Sequence, residues 1–465
     1  MNQHYRFVLC LLAAMAPFAA STQAAPAKNV LLILTDDMND ELGCYGSPVV
    51  KSPNIDALAD RGVRFNNANA NYPVCNASRT SMLSGVYPES SRVYYNTDNP
   101  RTYLGPDWVM LPEYFHNQGY YTARVGKIAH DTFVREFHWD LDRENGVLTK
   151  TPPPYTTVAK GGVGLLSWSA TTQLDEHTQD GRNARYVALL LEQRKGQPEP
   201  FFIAMGFRKP HTPWTVPKKY FDMYSTAQIK VPHESGEPTN DRADIPSVAL
   251  TNNPEWASVG TNDERRKAIL AAYASHSFVD AGVGVLLDAL TRLDLWKDTV
   301  VVFASDHGQH FGEHGGLVAK HTLFAETTRV PFIIVAPEKS VAQVADAPVE
   351  LLDLYPTLAE LCGLPIPDAN EGVSLVPLLD NPAADVDNGP AYSVVRRSGG
   401  GRSIRNGLYR YTEWGWGKVP TAAELYDLQA DPGEFTNQIG NSAYRSILTS
   451  LQQDLVLAKT RPSLK

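Results

Sequence analysis

The chain has 465 residues, 43% hydrophobic and 20% charged, an ordinary globular composition long enough for one large core with a smaller companion domain. Its formal net charge of −9 argues against nucleic acid or an anionic membrane as the main partner, because both select basic surfaces. A local basic pocket is still compatible with that balance.

Residues 1–25 carry Arg6, a short apolar run from Phe7 to Ala14, and small residues suited to cleavage near Ala24 or Ala25. That layout predicts a secretory signal peptide over 1–24 and export to a bacterial periplasm or the medium. No later apolar run reads as long enough to span a bilayer. Once Cys10 has left with the signal, Cys44, Cys75 and Cys362 remain. Three thiols in an exported protein cannot all pair, so at least one needs another explanation.

Lys28 to Thr35 is a continuous apolar run closing on Asp36 and Asp37, the pattern of a parallel strand buried on both faces. Similar runs recur at Phe201–Gly206, at Thr299–Ser305 before Asp306–His307, and at Pro331–Ala336, with helix-like stretches at Asp263–Leu293 and Val349–Cys362. Strands alternating with helices predict an α/β layered fold with a large, mostly parallel sheet and ligands gathered at the strand ends. About Asp131–Glu199 and Pro213–Asn262 are rich in Pro, Thr, Gly and Asn and read as long surface loops. A composition shift near Asp380–Gly389 precedes strand-like pieces at Tyr392–Arg397, Gly407–Trp414 and Glu424–Leu428. The predicted division is a catalytic domain over 25–380 and a smaller α+β subdomain with an antiparallel sheet over 381–465.

Adjacent carboxylates at the end of a buried strand repel unless a cation or base neutralises them. Asp36–Asp37 therefore suggests a hard divalent cation, although a turn after a strand would explain the pair as well. The run ending in Asp306–His307–Gly308 brings another carboxylate and an imidazole to the same sheet edge, and the two ends together favour a metal site.

The segment Cys75-Asn76-Ala77-Ser78-Arg79, continuing to Leu83-Ser84-Gly85, resembles the signature of formylglycine-dependent (type I) sulfatases of the alkaline phosphatase superfamily. In that signature a cysteine followed by x-Pro/Ala-x-Arg is oxidised to formylglycine. Gly119–Thr122 with Gly126-Lys127-Ile128-Ala129-His130, Lys209-Pro210-His211-Thr212-Pro213, and Ser305–Gly308 through Gly312–Gly315 to Lys320 resemble further blocks of the family, in the same order. The Gly-Lys-x-x-His spacing, the Lys-Pro-His segment, Ser403–Arg405 and Tyr409–Tyr411 point to the iduronate-2-sulfatase-like branch.

The resemblance implies an alkaline phosphatase-like fold and a Ca²⁺ ion, with Mg²⁺ as second choice, held by Asp36, Asp37, Asp306 and His307 together with residue 75. It implies that a hydrated aldehyde at Cys75 attacks sulfur with one hydroxyl and expels sulfate through the other. Arg79 would stabilise the hydrate, Lys127 the anionic sulfate. His130 would be the base for the second hydroxyl, and Lys320 and His211 the candidate donors to the leaving oxygen. His310, Glu313 and His314 would line the entrance or brace the loop. Gln309, Arg402 and Arg405 are candidate substrate contacts, although the two arginines could equally pair with surface acids.

Two residues depart from the pattern. Ala77 replaces the more usual Pro, which leaves open whether a formylglycine-generating enzyme or an anaerobic sulfatase-maturating enzyme acts on Cys75. Gln309 stands where the iduronate branch carries an aromatic, which leaves uronate specificity open. The implied function is hydrolysis of an O-sulfate ester on a sulfated sugar or polysaccharide-derived oligosaccharide, such as a uronate 2-O-sulfate or a related marine or glycosaminoglycan glycan. The alternatives are a phosphonate monoester or phosphodiester hydrolase with the same nucleophile, and a non-catalytic glycan-binding protein of the same fold.

Overall fold

The apolar run that ends in two aspartates forms strand β1 (Asn29–Asp36), every residue of which from Val30 onward is buried. It is one of eight strands in the central sheet of the computed structural model. The others are β2 (Val63–Asn69), β3 (Tyr121–Gly126), β4 (Leu141–Arg143), β5 (Phe201–Pro210), β6 (Thr299–Ser305), β7 (Phe332–Val335) and β8 (Gln343–Glu350). The described residues run from 28 to 459, apart from 131–132, 134–135, 147–153, 251–254, 340, 385, 387–388 and 417–418. The predicted signal peptide lies outside them.

The strand order is β8-β2-β7-β6-β1-β5-β3-β4. Only β7 runs antiparallel to its neighbours; every other pairing is parallel. Alternate residues of β1 feed opposite faces. Val30, Leu32 and Leu34 join a core with Met82 and Leu83 of helix α1 (Cys75–Ser84), Phe115 of α2 (Leu111–Asn117) and Leu358 of α5 (Leu354–Leu361). Leu31 and Ile33 join the other core, with Val187 and Leu191 of α3 (Gln179–Arg194) and Val279, Val283 and Leu286 of α4 (Asn262–Arg292). Helices on both faces explain why these strands are apolar throughout rather than alternating.

A second sheet is an antiparallel meander of β9 (Ala391–Val395), β10 (Gly401–Arg405), β11 (Tyr409–Trp414) and β12 (Ala422–Asp427). With Leu451 and Leu455 of helix α6 (Arg445–Lys459), its Tyr392, Ile404, Tyr411 and Leu425 share one core with Tyr72, Val74 and Ala77, so it packs against the segment that carries Cys75.

Some expectations need correction. The stretch 131–199 is not loop throughout. It contains α3, capped by Thr178, whose side chain accepts from Gly181 N, and buried along Ala184, Val187, Leu190 and Leu191. Its strands Thr157–Gly161 and Trp168–Thr171 pair with each other, and the second also pairs with Trp214–Pro217. Helix α4 is long and apolar enough by composition to cross a membrane, but most of its apolar stretch is buried inside the fold, as expected of a core helix. Cys44, Cys75 and Cys362 are all free thiols.

Candidate active site

Four strands that lie side by side in the sheet, β6, β1, β5 and β3, end at one edge, the usual place for ligands in a parallel α/β sheet. Thr35 of β1 pairs with Ser305 of β6, which puts Asp36–Asp37 beside Asp306–His307. Asp36 of β1 pairs with Pro210 of β5, one residue before His211. Gly126, which ends β3, pairs with Gly206 of β5, and Lys127 comes directly after it.

That last approach requires glycine. A Cβ at Gly206 would lie 2.0 Å from the Lys127 carbonyl oxygen, and one at Gly126, where φ is +81°, would lie 2.1 Å from the Gly206 oxygen. Without those side chains the Lys127 ammonium reaches Asp36 Oδ2 at 2.5 Å. Asp37 adopts the left-handed conformation (φ +67°), and its N–H donates to Asp306 Oδ1 at 3.1 Å.

Helix α1 presents its first residue, Cys75, to this edge, where the partial positive charge of a helix N-terminus favours anions. The thiol is 1% exposed. Its sulfur lies 3.0 Å from Lys320 Nζ, 3.4 Å from His307 Nε2 and 3.8 Å from Asp37 Oδ1. Burial, then the Asp36 carboxylate, pushes the thiol up to about 12. The unmodified cysteine is thus a poor nucleophile at neutral pH.

Arg79, one helical turn on, is also buried. Nε donates to Asp306 Oδ2 (2.8 Å), Nη1 to the carbonyls of Lys127 (2.6 Å) and Ile128 (3.0 Å), and Nη2 to Thr35 O (3.0 Å) and Asp36 Oδ1 (3.4 Å). Since a guanidinium has five N–H donors, none is left for a hydrate at position 75. The structure makes Arg79 a clamp on the carboxylates instead.

Asp36, Asp37 and Asp306 face Arg79, Lys127 and Lys320, so three formal negative charges meet three positive ones. Burial alone would raise the Asp37 carboxyl; Lys320, whose Nζ is 2.6 Å from Oδ1, together with His211 and His307, outweighs it and brings the carboxyl down to about 2. Asp36 is likewise held well below the carboxylate range, Lys127 and Arg79 overcoming its burial.

The donor set can hold a divalent cation, with the three carboxylates supplying its hard oxygen ligands. One ligand atom each from Asp36, Cys75, Asp306 and His307 lie within 4.8 Å of one another, as do those of Asp36, Asp37, Cys75 and His211. His307 Nδ1 donates to Gly308 O at 2.9 Å, and burial lowers the affinity of the ring for a second proton. Its bare Nε2 therefore faces Asp37 Oδ1 at 3.4 Å and Asp306 Oδ2 at 3.7 Å. A lone pair directed at two carboxylates is the arrangement a cation between them resolves.

The other expected residues divide. His211, about one-third exposed, points Nε2 at Asp37 Oδ2 (3.8 Å) while Nδ1 donates to Thr212 O (2.6 Å). His130 is half-buried in the loop after Lys127, its ring near that of Phe133. Gln309 is 2% exposed with its amide nitrogen buried, so it presents no surface to a sugar. Arg405 is also buried, 3.8 Å from Glu434, a carboxylate it shares with Arg410; its place is in the second sheet. Arg402 is 3.6 Å from Glu89 and lies over the Trp416 ring. His310 and His314 are fully buried and brace the loop rather than line an entrance. The His314 ring stacks on Phe324 and its Nδ1 lies 2.9 Å from Asp241.

Asp180 gave no signal in the sequence, and Lys209 was read only as part of the Lys-Pro-His block; both support the site. The Asp180 carboxylate accepts from the N–H groups of Arg208 and Lys209, and Lys209 Nζ donates to the His211 and Pro213 carbonyls at 2.8 and 2.6 Å. Together they fix the segment that carries His211.

The sulfatase family profile matches residues 28–364, and the profile of the N-sulphoglucosamine sulphohydrolase C-terminal region matches 312–461. A sulfatase of Formosa agariphila is 32% identical, covering 91% of this chain and 85% of its own length. Mouse iduronate 2-sulfatase is 31% identical over 93% of this chain and 95% of its own. Among solved structures, the phosphonate monoester hydrolase of Agrobacterium radiobacter superposes with a TM-score of 0.78 at 21% identity, covering 93% of this chain and 95% of that one, a likeness of fold. With the sulfatase profile spanning most of the chain and two sulfatases above 30% identity along nearly its whole length, this protein belongs to the sulfatase family, enzymes that hydrolyse sulfate esters on an alkaline phosphatase-like fold.

Proposed function

We propose that this sulfatase is exported and removes an O-sulfate group from a sulfated sugar or an oligosaccharide released from a polysaccharide. Its nucleophile is formylglycine made from Cys75 by a maturating enzyme, and its metal is Ca²⁺. The observation that carries this reading is the setting of Cys75: a fully buried thiol held protonated, at a helix N-terminus, 3.0 Å from an ammonium and beside three carboxylates. The surroundings suit an anionic ester, while the thiol itself suits no nucleophilic role. The kinship to iduronate 2-sulfatase supports a sugar substrate.

Formylglycine supplies, in its hydrated form, one hydroxyl to attack sulfur and a second whose deprotonation expels sulfate as the aldehyde returns. Asp36, Asp37, Asp306 and His307 would hold the cation, which lowers the cost of placing a sulfate ester beside them. Lys127 has two N–H groups beyond its bond to Asp36 and directs them at the sulfate oxygens as fixed positive charge. Arg79 keeps Asp36 and Asp306 in place. Lys320 and His211 are the proton sources for the departing alkoxide, and His130 takes the proton of the second hydroxyl.

The test is sulfate release by the matured protein from aryl sulfate and from a panel of sulfated glycans, with an aryl phosphodiester alongside. Dominant phosphodiester turnover would overturn the sulfatase assignment of the pocket. A position-75 peptide that carries ordinary cysteine in fully active protein would overturn the nucleophile.

A further inference from the structure

Close to the Cys75 helix lies a cavity of about 460 Å³ lined by Arg92, Arg396, Tyr94, Tyr103, Trp416 and two acids. Its volume falls in the range of small-ligand pockets. The cavity is tied to the catalytic segment from two sides. Asn76, the residue after Cys75, donates from Nδ2 to the carbonyls of Tyr95 and Asp98, both at 2.8 Å, and its backbone N–H donates to Asn96 Oδ1 at 3.2 Å. On the other side, Tyr72 Oη accepts from the Arg396 N–H at 2.9 Å.

The cavity's two arginines are not paired with its two acids. The Arg396 guanidinium lies 4.5 Å from the Trp416 ring centre and 5.3 Å from that of Tyr94, and Arg92 lies 5.6 Å from that of Tyr103. Neither arginine has a carboxylate within ion-pair distance among the described residues. The acids are engaged elsewhere, apart from Glu89 Oε2, which is buried without a hydrogen-bond partner. Asp98 Oδ2 accepts from the N–H groups of Tyr94 and Tyr95. Glu89 Oε1 accepts from Tyr392 Oη at 2.7 Å and faces Arg402 at 3.6 Å, and burial raises its carboxyl above the ordinary carboxylate value.

Guanidiniums over aromatic rings, without a carboxylate partner among the described residues, match a sugar that carries an oxyanion: the ring stacks and the anion takes the forked donors. We propose that this cavity is a subsite for the neighbouring anionic sugar of an oligosaccharide, binding its carboxylate or second sulfate through Arg396 and Arg92. The proposal rests on the sulfated-sugar reading, and it moves substrate recognition from Arg402 and Arg405 to the turn that precedes β10.

The test is titration calorimetry on the full exported chain carrying Cys75→Ser, so that no turnover intervenes. The probes are tetrasaccharides: hyaluronan, with carboxylates and no sulfate; a carrageenan, with sulfates and no carboxylate; and a neutral glucan. At least one anionic probe should bind about tenfold or more tightly than the neutral one, and whichever does so identifies the oxyanion. Arg396→Gln should remove about tenfold of that affinity and reduce its salt dependence. Arg92→Ala, on an exposed side chain with no ion pair, should do so to a smaller extent and guards against misfolding of the first variant. Equal affinity for anionic and neutral probes, or unchanged affinity in both variants, overturns the proposal. Sulfate release from aryl sulfate by matured wild-type protein reports separately on the parent reading, since that substrate has no second sugar.

Discussion

Replacing Arg79 by glutamine should destabilise the whole fold before it says anything about catalysis. The guanidinium sits between Asp306 (2.8 Å) and Asp36 (3.4 Å), with all three side chains at most 1% exposed. Asp36 keeps Lys127 in the variant, but among the described residues Asp306 is left with no cationic side chain within hydrogen-bonding distance, only the N–H groups of Asp37 and His307. Breaking a buried pair from one side costs about 3–5 kcal/mol because the remaining charge is stranded. The carbonyls of Thr35, Lys127 and Ile128 also lose a donor, at about 1–3 kcal/mol each where nothing replaces it. The total approaches the stability of an ordinary domain, so Arg79→Gln should yield little soluble protein. Arg79→Lys, which keeps the charge but not the fork, should fall between. Urea unfolding followed by tryptophan fluorescence measures both. If Arg79→Gln unfolds within about 1 kcal/mol of wild type while losing sulfate release, the clamp reasoning is wrong and Arg79 acts on the substrate.

Lys320→Ala removes the ammonium nearest both Cys75 and Asp37 and should lower kcat by about 10²–10³, the usual cost of one preorganised charge; a change below fivefold in steady-state assays would remove it from the mechanism. His314 is fully buried between Asp241 and Glu326, and these acids, against its burial, raise it to about 10. Its contribution is complete below its ordinary value near 6.5 and is lost as pH rises through about 10. His314→Gln should therefore cost about 3–5 kcal/mol near neutrality and flatten the fall of the urea midpoint between pH 6.5 and 10; an unchanged slope contradicts this. Chelation should abolish sulfate release, and Ca²⁺ should restore it better than Mg²⁺, because a site with several fixed carboxylates leaves little room for the water shell Mg²⁺ retains. Equal rescue by Mg²⁺ would argue against Ca²⁺.

Much of the layout was legible in the residues. The runs at Lys28–Thr35, Phe201–Gly206 and Thr299–Ser305 formed β1, β5 and β6 because strands covered on both faces need continuous apolar sequence. Those same strands deliver Asp36, His211 and Asp306, so the edge that carries chemistry could be anticipated from the polar residues just beyond each run. Helix α3 was passed over because Pro and Gly flank it on both sides, although its apolar residues at 184, 187, 190 and 191 recur at helical spacing. Strands β2, β3, β8 and β10 carry polar residues within them, and only their sheet neighbours make them strands.

By itself the sequence determined which chemistry is present: a cysteine in a position-specific segment, carboxylates closing buried strands, and lysines and histidines at fixed intervals after them. Such information is local, because strand periodicity and motif spacing are properties of adjacent residues. What each residue does was decided by tertiary structure. Arg79 became a clamp once β1, β6 and the Lys127 loop supplied five acceptors. Arg405 and Gln309 withdrew from the substrate by burial, and Arg396, which carries no motif in the sequence, acquired an unpaired charge between two aromatic rings. A side chain's partners come from segments up to hundreds of residues away, and whether a charge is spent or free depends on those partners alone.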